Sequence, residues 1–321
     1  MELTDLLNEK EWRKCKGPEG ATTDELVAAF SHFCSTYWTI RHPERGRIKF
    51  QLREAQEETV RTWIDSRYSI VLKARQIGFS TLAAAFTFWE CYFWGDRFIV
   101  MLSRTEREAS KLLQKTKYGY KMLPQWIKLR GPDLVSDNQL KMVFANDSSL
   151  ESLPSGNDPA RGESVYRVVI DEMAFLPDAE SAWASIEPIA DVGGRVICLS
   201  TANGEGNIFH QLWVGSQTGN NRFTGIFFPW SAGDRDENWY EAKKRELECG
   251  KENGEGGQVE GLGQLKGTIP AREYFRWHQD KQGCWGDKQF TNEFFRDNAH
   301  LKAKSFSKKT FVAGGFNKPS F

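Results

Sequence analysis

Two adjacent acids at the end of an apolar run are the first residues whose types and spacing could do chemistry. Val168, Val169 and Ile170 lead directly into Asp171 and Glu172. A buried strand ending this way can set the first carboxylate beside a magnesium ion and the second beside an attacking water. Upstream, an apolar run from Tyr68 to Leu72 passes through Lys73, Ala74, Arg75, Gln76, Ile77, Gly78, Phe79, Ser80 and Thr81 into a helical segment. A strand, loop and helix in that order aims free backbone N–H groups of the helix's first turn at an anion. Measured against GxxxxGK[ST], Gly78 and Ser80 stand in place, but Lys73 occupies the first glycine position and Phe79 that of the lysine. Taken alone the match is incomplete, since a strand-to-helix turn with one glycine suits any α/β protein. The loop and the acidic pair, in this order, are more specific than either.

Two flanking segments extend the set. Gln56 lies in a helical stretch just before the loop, and its amide can both donate to and accept from a base. Leu199-Ser200-Thr201-Ala202-Asn203-Gly204 follows another apolar run, where Ser200, Thr201 and Asn203 could sense a terminal phosphate or simply make a polar turn.

Positioning these residues takes strands that end near one another. The spacing predicts a helix capped at Thr23 and running to about Thr39, because Leu26, Val27, Phe30, Phe33, Cys34 and Tyr37 share a face, followed by a turn at His42–Gly46. Helices are predicted at Glu54–Asp65, from Ser80 to about Trp94 and from about Thr105 to Leu123. Strands are predicted at Tyr68–Leu72, Arg97–Leu102, Lys141–Phe144, Tyr166–Ile170, Arg195–Ser200 and Thr224–Phe228. This alternation reads as an α/β domain with a mainly parallel central sheet flanked by helices, whose ligands bind beyond the carboxyl ends of the strands. Past Trp239 the pattern weakens, residues 250–267 form a glycine-rich loop, and a small helical subdomain follows. The lysines Lys302, Lys304, Lys308 and Lys309 read as a solvated tail, with phosphate contact as the other reading.

Lys+Arg and Asp+Glu both total 43, so a polyanionic partner would need a local patch rather than the field of the whole chain. The six cysteines show no CxxC or zinc-like spacing and read as buried free thiols of a reducing cytosol. No stretch approaches the roughly 20 apolar residues that span a bilayer, and the charged N-terminus has no signal-like core, which predicts a soluble cytoplasmic chain with no membrane partner.

KARQIGFST, VVIDEMAF and LSTANG, in this order, resemble the phosphate loop, acidic strand and coupling motif of tailed-phage terminase large subunits. YWTIRHPERGRIKFQLREAQ is similar to their segment before the phosphate loop, and Asn157–Gly162 to the loop before their acidic strand. The resemblance covers about Phe33 to Trp230. It implies a P-loop NTPase of the ASCE type: an N-terminal helical segment at 1–45, an ATPase core at 46–232 and a lid or linker subdomain at 233–321. It also implies ATP and Mg²⁺, with Gln56 at the adenine, Lys73–Thr81 around the phosphates, Ser80 and Asp171 at the metal and Glu172 as base. Arg75, or Arg161 supplied to a neighbour, would stabilise the transferring phosphoryl group, and Ser200, Thr201 and Asn203 would couple hydrolysis to movement. In one branch of that family the lysine stands at the loop's start, as Lys73 does here, and the side chain could reach the phosphates from that end. The implied partners are double-stranded DNA, the portal protein, the small terminase subunit and further copies of the chain in a ring on the procapsid. The family's RNase-H-like nuclease domain is expected to be absent. Alternatives left open are a helicase-like translocase and a non-hydrolysing assembly scaffold, for which Phe79 is the best support.

Overall fold

The apolar runs read from the sequence become strands, and the amphipathic stretches between them become helices. The computed structural model describes residues 3–75, 77–156, 164–228 and 311–312. Its helices are α1 (Leu3–Lys16), α2 (Thr23–Thr36), α3 (Glu54–Asp65), α4 (Phe79–Phe93), α5 (Glu106–Lys121), α6 (Gln125–Arg130), α7 (Ala179–Asp191) and α8 (Ile208–Thr218). The strands are β1 (Thr39–His42), β2 (Gly46–Lys49), β3 (Tyr68–Lys73), β4 (Phe98–Ser103), β5 (Leu134–Asp137), β6 (Lys141–Phe144), β7 (Ser149–Pro154), β8 (Val165–Asp171), β9 (Arg195–Ser200), β10 (Thr224–Phe228) and β11 (Phe311–Val312). The readings at Gln76, Arg161 and its 157–162 loop, residues 250–267 and Lys302–Lys309 lie outside the described residues.

These residues fall into two compact units, 1–69 with 79–199, and 70–78 with 200–321. In the first, the strand order is β9-β8-β4-β7-β6-β5. The pairs β9/β8, β8/β4 and β4/β7 are parallel, and β7/β6 and β6/β5 close the edge antiparallel. Central strands buried on both faces need unbroken apolar runs, which is what Ile99–Leu102, Val168–Ile170 and Val196–Leu199 supply, all at 0% exposure.

α4 is buried along its whole length except at Ser80 and Thr81. An aromatic cluster covers it: Phe30 meets Phe86 edge-on at 5.5 Å, and Trp38 lies 4.7 Å from Phe88. Trp38 in turn needs Gly119 of α5, where an added Cβ would come 2.2 Å from the indole.

The helix expected to reach Thr39 stops at Thr36, and its cap is Thr22 rather than Thr23. Thr22 and Glu25 form a reciprocal capping box, while β-branched Thr39 and Ile40 leave the helix to pair with Lys49 and Ile48 in a hairpin. At its turn, the His42 Nδ1 accepts the Glu44 and Arg45 N–H groups.

In the second unit β10 lies between β11 and β3, with β11 antiparallel to it, and the Ala74 N–H donates to the Phe228 carbonyl at 3.0 Å. Asn207 caps α8 by accepting the His210 N–H, and Gly219 ends the helix at φ +72°.

Candidate functional site

In the first unit, Ser80, Thr81, Asp171 and Glu172 owe their position to a clamp at the far end of the elements that carry them. Glu90 on α4 accepts from Arg167 on β8 through both oxygens, Nε at 2.6 Å and Nη2 at 2.8 Å, with both side chains buried. α4 leads directly into β4, which runs parallel to β8, so helix and strand point in opposite directions away from the clamp. Ser80 is ten residues of helix above Glu90, and Asp171 four residues of strand above Arg167. The rises come to roughly 15 Å and 13 Å at standard spacings. At those spacings the hydroxyl and the carboxylate would come level, toward the carboxyl ends of the strands. These hard oxygen donors suit Mg²⁺, which is typically held by one or two carboxylates together with substrate phosphates.

Asp171 ends β8 in register with Leu199 of β9. Beyond it the backbone turns sharply, with Glu172 at φ 53° and ψ 45° and its carbonyl accepting the Phe175 N–H in a single 3₁₀ turn, Met173–Phe175. A left-handed conformation at a side chain with a Cβ costs about 1–2 kcal/mol and persists only where the surroundings fix it. Here Met173 and Ala174 are buried immediately after it, which anchors the turn and leaves Glu172 half-buried.

Gln56, in the third position of α3, is 1% exposed, and its side-chain oxygen accepts the Arg53 N–H at 3.1 Å. Its amide helps cap α3, a role the sequence reading did not assign.

The second unit carries the rest of the loop. Lys73 closes β3 and is buried, as is Ala74 just after it, Arg75 is exposed, and Gly78 turns the chain at φ +83°, a conformation natural to glycine. Ser200 and Thr201 are both fully buried, and the Ser200 hydroxyl donates to the Thr201 carbonyl at 2.5 Å. Leu72 lines a small cavity with Ala202, Asn203 and Gly204, so the end of the phosphate-loop strand and the Ser200–Gly204 segment are neighbours within this unit. Phe79, in the position of the usual lysine, belongs to the first unit and is 2% exposed.

Sequence reasoning missed the Glu90–Arg167 clamp, although it left a signal. Glu90 is the one acid in FSTLAAAFTFWECYFW, and an acid in an otherwise apolar helix has to be paired.

A mainly parallel sheet flanked by helices, with a glycine-turned loop after one strand and an acidic pair after another, defines a P-loop NTPase fold. Residues 70–253, more than half of the chain, match the family described as terminase large subunit, T4likevirus-type, N-terminal. The chain belongs to that terminase large-subunit family. Among solved structures, it is similar to the large terminase ATPase domain of Thermus phage P74-26, with 16% identity, a TM-score of 0.52, and 68% of this chain and 93% of that one covered. It is also similar to the large terminase of bacteriophage HK97, with 10% identity, a TM-score of 0.55 and 69% of this chain covered. The match covers 51% of the HK97 protein, so this chain spans about half its length. At these identities the likeness speaks for the fold alone.

Proposed function

We propose that the chain hydrolyses ATP and couples hydrolysis to the translocation of double-stranded viral DNA into a procapsid. One observation carries the reading. The two residues of α4 that are not buried are Ser80 and Thr81, and ideal helix and strand rises from the Glu90–Arg167 clamp would bring Ser80 level with Asp171, with Glu172 next in line.

In this reading the backbone of Lys73 to Thr81, including Gln76, cradles the phosphates, and Lys73 meets them from the start of the loop. Gln56 recognises the adenine through its amide donors, its oxygen being held by Arg53. Ser80 and Asp171 would hold Mg²⁺, which would neutralise phosphate charge there. Glu172 orients or deprotonates the attacking water, and its sharp turn off β8 keeps it away from Asp171's task. Arg75 stabilises the transferring phosphoryl group within the chain, or Arg161 does so for a neighbouring copy. Ser200, Thr201 and Asn203 sense loss of the γ-phosphate. The working assembly is a ring of this chain at the portal vertex in the host cell, with the portal protein and small terminase subunit as partners. Among the described residues no helix is long and apolar enough to cross a membrane.

The test is ATP turnover by the purified chain over a concentration series, with and without double-stranded DNA. Turnover should rise with concentration or DNA, and Glu172→Gln should bind ATP while losing most of it. Wild-type-like hydrolysis by that variant removes Glu172 from the mechanism, and a wild-type chain that binds ATP without turnover even with portal and small subunit added is a scaffold. Mixing Arg161→Ala chains with Glu172→Gln chains should restore partial hydrolysis. No recovery argues against an arginine supplied in trans.

A further inference from the structure

A cleft of about 1190 Å³ opens in the first unit at the amino ends of β4, β8 and β9, the opposite end of the sheet from Asp171. α1 forms its other wall. Eight basic and three acidic side chains line it, an imbalance that pairing within the cleft does not remove. Glu9 is engaged by Arg13 and Arg130, and Glu90 is shared by Arg167 and, at 3.5 Å, Arg97.

Three guanidiniums define the cleft's inner end. Arg97 lies over the rings of Trp94 and Tyr166, 4.7 Å and 4.4 Å from their centres, which leaves its N–H groups for an acceptor in the cleft. Arg195 spends Nη1 on the carbonyls of Trp63, Ile64 and Ser66. Arg167 is 1% exposed; Nε and Nη2 are used on Glu90 and the Trp63 carbonyl, but Nη1 has no partner. A buried charged donor without an acceptor is costly in a protein that keeps nearly all such groups satisfied. Burial lowers the Arg195 pKa, and the Arg167 and Arg97 charges add to this, so the three cations are felt by one another.

We propose that this cleft is a second anion site, built for the phosphomonoester of a nucleotide, either free or at the phosphorylated end of a nucleic-acid strand. The charge balance selects the group. Three guanidiniums against the single Glu90 carboxylate leave two positive charges, and a phosphomonoester carries about −1.5 to −2 at pH 7 where a carboxylate or phosphodiester carries one. The Trp12 ring, half-buried on the cleft wall, supplies an aromatic surface against which a base packs.

The experiment measures fluorescence anisotropy of a short single-stranded oligonucleotide, labelled at its 3′ end, with and without a 5′-phosphate. It is run on the full chain carrying Lys73→Ala so that the phosphate loop does not contribute. The 5′-phosphorylated strand should bind about tenfold more tightly than the 5′-hydroxyl strand, and the advantage should fade as pH drops through about 6, where the phosphate gains a proton. Arg97→Gln should abolish the advantage, and Arg97→Lys should not restore it. If Arg97→Gln lowers the melting temperature, the exposed Lys10→Glu at the cleft rim gives the same readout with the inner end intact. Competition by a nucleoside monophosphate, but not by inorganic phosphate, assigns the site to free nucleotides as well as strand ends. Equal binding of the two strands, an unaltered advantage in both sets of variants, or stronger competition by a phosphoserine peptide overturns the proposal.

Discussion

Glu172 is held in a conformation that glycine adopts without strain, at a place where the proposed hydrolysis calls for a carboxylate. The two demands separate under mutation. Glu172→Gly should leave thermal stability unchanged or raise it by up to about 1 kcal/mol, since the left-handed turn then costs nothing, while ATP turnover disappears. A loss of more than about 1 kcal/mol in a denaturant melt would mean that the glutamate holds the turn together rather than occupying it under strain. The acid itself was legible, as Val168–Ile170 leads straight into it. Its φ was not, because nothing in EMAF requires a left-handed residue. Gln56 teaches the converse: its helical position was legible, but its use in capping α3 depends on the Arg53 backbone turning inward, which no side-chain type announces.

At the scale of elements, the strands that were legible are those whose burial demands continuous apolar residues. The strands β1, β2, β5 and β7 and the helices α6 and α8 were not read. In SLESLP the alternating buried positions are Leu150 and the polar Ser152, so no apolar run marks β7, and LVSD on the edge strand β5 is largely exposed. α7 carries Pro188 inside the helix, which argues against a helix in sequence terms. Two predictions belong here. Glu90→Ala strands the buried Arg167 guanidinium and should destabilise the chain by about 3–5 kcal/mol in chemical denaturation. A cost under about 1 kcal/mol would show that the clamp does not hold α4 to β8. Gly119→Ala drives a methyl group into Trp38 and should cost about 1–3 kcal/mol, with partial relief from Trp38→Phe in the same chain.

For the molecule as a whole, ionisable groups bound the pH range of stability on both sides. The Lys14 ammonium, donating to Glu11, holds that carboxyl below its ordinary 4.5, and the Thr22 N–H and hydroxyl do the same for Glu25. A depressed folded pKa contributes stability above the unfolded value, and this is lost as pH falls through the acid range. Burial pushes the Cys34, Cys91 and Cys198 thiols well above their ordinary 9, and the Cys15 thiol to about 12. Above pH 9 the unfolded chain sheds these protons while the folded chain keeps them, so stability falls again. The urea midpoint should therefore peak between about pH 5 and 8 and decline on either side. A midpoint still rising at pH 10 would contradict the burial of these thiols.

The enclosure of α4 has a mechanical consequence. A helix covered by aromatic rings and strands on every side has no face on which to slide, and its lower end is pinned by a buried ion pair. It behaves as a fixed post, with Ser80 and Thr81 as its cap. Displacing that cap would mean tearing the core of the first unit, so any stroke that follows nucleotide turnover has to be delivered by the chain on either side of the post while the post itself stays still.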